Sequence, residues 1–178
     1  MRRHAWSALA LAVPAMMIAG CGRREAPPPS RPPSRPPAVE VRPADAAGYV
    51  SLASSIDLLV IQASQLAVSQ ARSPRVRDVA AMLVRDHNGA SAQLSFAGRR
   101  LNLLPSASML AEHRAMLEEV RNSSDFDASY RSAMIRAHEQ GLRLHGDYAA
   151  TGTSPTLRPV AEVVAPIMRR HLDELRGL

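Results

Sequence analysis

From about residue 44 onward, apolar residues recur every three to four positions, and the alternation expected of strands is absent. That period restricts the chain to packed amphipathic helices. Helix one is expected over roughly 45–71, with Leu52, Ile56, Leu59, Ala63, Leu66 and Gln70 on its stripe. Ser73-Pro74 is a restart signal, serine as N-cap and proline at the first helical position. Helix two follows over 74–99, with Val76, Val79, Leu83, His87, Ala90, Leu94 and Ala97 on one face. A shorter helix is expected over about 107–121, carrying Met109, His113, Met116 and Val120, and Asn122-Ser123-Ser124-Asp125 breaks it. Helix four spans about 126–150, with Tyr130, Met134, Ala137, His138, Gly141, Leu144 and Tyr148. Thr153-Ser154-Pro155 restarts the chain, and helix five runs to about 176, with Leu157, Val160, Val164, Ile167, Met168, His171 and Leu175. Pro166 should kink it, because proline removes a backbone donor.

Four long helices, each with one apolar face, are expected to pack as a four-helix bundle about 35–40 Å long. The stretch from Leu101 to Asp125 is too long for a tight hairpin. It is expected to cross the bundle end to end with its short extra helix, as the connection between helix pairs does in ferritin-like folds.

The N-terminal part is of a different kind. Met1-Arg2-Arg3-His4 is a basic start, and the apolar stretch Ala5–Ala19, at about 22 Å as a helix, is short of a bilayer core of about 30 Å. Residues 1–20 therefore read as a signal peptide. Ile18-Ala19-Gly20-Cys21 resembles the bacterial lipobox, with Cys21, the one cysteine of the chain, as the lipidation site. By that resemblance the chain is a cell-envelope lipoprotein held to the membrane by its acyl chains. By the same resemblance, Gly22 in place of aspartate implies the periplasmic face of the outer membrane for a Gram-negative source. Residues 21–43 read as an extended tether: eight prolines and five arginines fall in 22–43.

The tether also relocates the charge. The chain carries a formal +6, with 22 arginines and no lysine, but residues 44–178 hold 15 arginines against 14 acidic groups. The folded part is nearly neutral, and aromatics are only 3% of the chain, so neither a basic face nor a base-stacking platform for nucleic acid exists.

His87, His138 and His171 lie on the stripes of three different long helices. Counted from the nearest turns at 1.5 Å per residue, His87 and His138 sit about 20 Å along the bundle, His171 about 25 Å and Gln62 of helix one about 17 Å. All four fall near mid-height. Two readings stand: a transition-metal site built from the imidazoles, with Asp86 and Gln62 as weaker candidates, or core histidines satisfied by hydrogen bonds, for example to Asp86 or a backbone carbonyl. His113 and His145 read as structural or solvated. Gly89 and Gly141, inside helices, mark either close helix approach or space for a ligand.

No Glu-x-x-His pair occurs, which argues against a di-iron oxidase of the usual kind. His138-Glu139 starts a zinc-protease motif that Leu142 leaves incomplete, and phosphate loop, dinucleotide fingerprint and nucleophile elbow are all missing. The chain reads as a non-enzyme or as one of unknown activity; a ferritin-derived oxidase is the weaker alternative. The rival to metal binding is an interaction module for an envelope protein partner.

VRDVAAMLVRDH ending at Asp86-His87, Phe126-Asp127 with Tyr130 and His138, and Pro166 with His171-Leu172 agree in order and spacing with a known pattern. Together they resemble the bacterial domain-of-unknown-function family 4142. The resemblance covers roughly 45–176 and implies a ferritin-like four-helix bundle with its biochemical role open. It also implies an acidic residue of helix one near the position held here by Gln62.

Overall fold

A computed structural model describes residues 44–178. The leader, Cys21 and the proline tether lie outside the described residues. The described chain is all-α: α1 (Ala46–Gln70), α2 (Pro74–Arg99), α3 (Ala111–Arg121), α4 (Phe126–Thr151) and α5 (Arg158–Arg176).

Local chemistry sets most of the boundaries. Asp45 caps α1 by accepting the Gly48 N–H at 2.6 Å. Ser73 caps α2 through the Val76 N–H at 3.4 Å, with Pro74 in the first turn, as the Ser-Pro pair predicts. Asp125 caps α4 through the Ala128 N–H. α2 stops where the Gly98 carbonyl accepts from both Leu101 and Leu103, and Asn102 takes a left-handed φ of 56°. A Cβ on Gly98 would strike the Leu103 carbonyl, so glycine permits this close return.

Two expectations shift. The short helix starts at Ala111 rather than near 107, because the Leu110 N–H goes to the Ser55 hydroxyl at 2.8 Å and ties the loop to α1. Helix five starts at Arg158: the Ser154 carbonyl accepts from Leu157 and Arg158, so a single turn occupies 155–157 first. α5 then runs through Pro166 to Arg176 as one helix, with Pro166 exposed.

Hydrogen bonds between elements define the topology. The Asp127 carboxylate at the start of α4 accepts from the Arg72 and Ser73 N–H groups of the α1–α2 turn, at 3.1 and 2.8 Å. Thr153, just past α4, donates to the Ala44 carbonyl just before α1. α4 is therefore antiparallel to α1, and the segment between α2 and α4 travels the length of the bundle, as its length predicts. Arg131 near the start of α4 donates to the Leu175 and Arg176 carbonyls, which sets α5 antiparallel to α4. α1 packs on α2 and α4, α5 packs on the same two, and α3 lies against α1 and α4. The two hairpins, α1–α2 and α4–α5, thus form a four-helix bundle.

α1 differs from its expected one-sided stripe. It is buried on nearly every side, including Tyr49, Val50, Ala53, Ser54, Asp57, Val60 and Ser64. Its hydropathy and 25-residue length would suffice for a membrane span, but most of that surface is covered by the rest of the bundle. On α2 all seven residues of the expected stripe are buried. At Gly141 a Cβ would lie 3.2 Å from the Met168 sulfur, which marks close approach of α4 and α5; at Gly89 it would meet nothing within 4 Å.

Candidate metal centre

α2, α4 and α5 each turn one imidazole into the same point of the core. His87, His138 and His171 are 0–1% exposed, and one ring nitrogen of each lies within 4.8 Å of the other two. Equal heights on three helices become one cluster.

The second nitrogen of each ring has its own partner. His138 Nδ1–H donates to the Met134 carbonyl at 2.7 Å, one turn back on α4. A carbonyl only accepts, so the proton sits on Nδ1 and the Nε2 lone pair faces the cluster. His87 Nδ1–H donates to Asp57 Oδ1 at 2.8 Å, and the Ser91 hydroxyl donates to Asp57 Oδ2 at 2.8 Å. This turns His87 Nε2 inward, 3.2 Å from His138 Nε2. His171 Nε2–H donates to Asp86 Oδ2 at 2.9 Å. Its Nδ1 is buried without a hydrogen-bond partner, a condition it shares only with Ser154 Oγ among the described buried side chains. One nitrogen of each ring thus lies at the cluster while the outer N–H groups are held by carboxylate, carbonyl and carboxylate, the supporting arrangement that fixes tautomer and orientation of metal-binding histidines.

The electrostatics favour neutral rings at His138 and His171. Burial, reinforced by the His87 and His171 charges, holds His138 well below the usual imidazole range, against the opposing pull of the Met134 carbonyl. Burial also brings His171 down to about 4, although its bond to Asp86 works in the opposite direction. Burial would raise the Asp86 carboxyl, but the His171 hydrogen bond and charge and the Arg170 guanidinium outweigh it and keep the group ionised. A neutral imidazole is the form that ligates a metal.

The other sequence candidates fall differently. Asp86 is within hydrogen-bonding reach of His171, on the outward side of that ring, and holds it in place. Gln62 is half-buried and takes part in none of the cluster's hydrogen bonds among the described residues. The acidic residue α1 does contribute is Asp57, five positions earlier, which the stripe did not single out. Its signal is there: Asp57 is the one charged residue between 46 and 70. Burying a charge is costly unless it is paired, and Asp57 is paired twice.

His113 and His145 are structural, and they are buried rather than solvated. His113 Nε2–H donates to Gln140 Oε1 at 2.9 Å, and its Nδ1 accepts from the Ser55 hydroxyl at 2.6 Å. Burial raises the Tyr49 phenol above its ordinary range, so Tyr49 stays protonated and donates to His145 Nδ1 at 3.0 Å.

Comparison with known proteins adds fold and family. No protein of curated function matches the chain in sequence. A solved structure described as "CopM in the Cu(II)-bound form" is similar with a TM-score of 0.64, covering 75% of this chain and 94% of that one at 13% identity. At that identity the likeness concerns the helical fold. The sequence pattern described as Domain of unknown function (DUF4142) matches residues 30–178, and the chain belongs to that family.

Proposed function

We propose that this chain is a cell-envelope lipoprotein whose bundle binds one transition-metal ion between His87, His138 and His171. The observation that carries the reading is the nitrogen accounting at the cluster. The Nε2 atoms of His87 and His138 meet only each other, His171 Nδ1 is buried with no protein partner, and each ring is anchored from outside. An all-imidazole set suits copper, zinc or nickel, and among divalent ions copper binds such donors most tightly. The similar fold of a copper-bound protein points the same way. When bound, the ion would supply Lewis acidity or one-electron chemistry; the chain supplies three neutral donors and keeps water out. With the rings fully buried, holding the ion is favoured over turnover of a substrate.

Electron paramagnetic resonance of the full chain loaded with Cu(II) tests this. Hyperfine splitting from imidazole nitrogens is expected, and it should be lost in His171→Ala. A spectrum of solvated copper removes the proposal. For the location, palmitate labelling that depends on Cys21 is expected; an unlabelled soluble product would contradict it.

One observation favours a second reading. At 3.2 Å, His87 Nε2 and His138 Nε2 are also placed for an imidazole–imidazole hydrogen bond. The cluster would then be a structural network in an interaction module for an envelope partner. Copper that fails to bind in stoichiometric amount supports that reading.

A further inference from the structure

The cluster is sealed, so an ion needs a way in, and one side of the seal is built from charges. α2 and α5 each present an adjacent pair: Asp86-His87 and Arg170-His171. In both pairs the histidine points into the cluster and its neighbour points out. The outward side chains meet. Arg170 Nη2–H donates to Asp86 Oδ2 at 2.8 Å, the same oxygen that accepts from His171 Nε2–H at 2.9 Å. Asp86 Oδ1 takes no hydrogen bond among the described residues. Exposure grades along the row, with the side chain of Arg170 at 60%, Asp86 at 26% and His171 at 0%. Of the two carboxylates that anchor the rings, Asp57 is 5% exposed, so Asp86 is the one an arriving cation can touch.

We propose that Asp86 is the docking carboxylate through which a metal cation reaches the histidine cluster, and that Arg170 is the latch that covers it. This rests on the metal-site reading above. A cation displaces the guanidinium from Asp86, since both compete for the same anionic group. The bond that leaves is an exposed salt bridge, worth little in water and easily exchanged. Coordination to Asp86 then loosens the hydrogen bond that holds the His171 ring. That ring stands between the carboxylate and the cluster, and its free Nδ1 takes the ion on the inner side. Asp86 thus acts in transit, and the three imidazoles hold the ion at rest.

The test is the rate of loading, measured by rapid mixing of the full chain with Cu(II) alone, and the rate of release to a chelator, alongside copper per chain at equilibrium. Arg170→Ala removes a repelling charge from the door and should speed loading and release by about tenfold, with copper per chain unchanged. Arg170→Lys keeps the charge and should behave as wild type. Asp86→Asn keeps an oxygen that accepts from His171 but loses the anionic dock, and loading should slow by about tenfold. Arg170 is exposed and circular dichroism checks the fold of each variant. Wild-type rates in Arg170→Ala, or slower ones, overturn the latch. Loading at the wild-type rate in Asp86→Asn overturns the dock. If the wild-type chain binds no copper, the metal-site reading fails and the door fails with it.

Discussion

His113 and the mid-bundle cluster are alike in burial and opposite in bookkeeping of nitrogens. His113 has a donor on one side and an acceptor on the other, Ser55 and Gln140, and both ring nitrogens are spoken for. In the cluster, the outer nitrogens are held by Asp57, Met134 and Asp86, while the inner nitrogens of His87 and His138 meet only each other and His171 Nδ1 has no partner. A closed imidazole holds a fold together. It ties the crossover to α1 and α4, where Ser55 also takes the Leu110 N–H. Three open imidazoles, aimed at one point, are arranged to hold something else. Burial alone does not separate the two cases; the partner of each nitrogen does.

Four measurements would break or sharpen this contrast. The largest effect is expected for His138→Ala, which removes a ligand and should weaken copper binding beyond about 100-fold. Acid comes next. Burial lowers His171 and His145 to about 4 and holds His138 well below its ordinary range, from an unfolded value near 6.5. The unfolded chain therefore binds more protons between pH 6.5 and 4. Stability of the metal-free chain is full above about 6.5 and should fall as pH drops toward 4, by up to about 1.4 kcal/mol per pH unit for each such histidine. Denaturant melts across that range measure it, and a flat profile would contradict buried neutral rings. Asp57→Ala should cost about 10–100-fold in copper affinity, because His87 loses the partner that fixes its tautomer. Ser55→Ala leaves His113 Nδ1 and the Leu110 N–H without partners. It should lower stability by about 2 kcal/mol and leave copper affinity unchanged. A fall in copper affinity in that variant would show that the two kinds of histidine are not independent.

Much of this is legible in the sequence, and the reason is local. Ser73-Pro74 starts α2 where a serine cap and a first-turn proline must, and the α2 stripe is buried residue for residue. The common height of His87, His138 and His171 follows from rise per residue and the positions of the turns. The long crossover followed from its length alone. What escaped was rotation about α1. A helix buried on nearly every side carries no stripe that says which face meets the histidines. Height favours Gln62, while Asp57 is the residue bonded to the cluster. The lone charge in 46–70 was the better guide, because a buried carboxylate needs a partner and a stripe does not reveal one. The start of α3 was set by a contact with Ser55, 55 residues away in sequence, which no local signal carries.

The central claim is that the three open nitrogens form one metal site. Its most direct test is the copper content of full chain prepared without chelator or affinity tag, loaded with Cu(II) and freed of excess by gel filtration. One ion per chain is expected for the wild type and for Gln62→Ala, and none retained by His87→Ala or His171→Ala. Sub-stoichiometric copper that does not change when His171 is removed would contradict it.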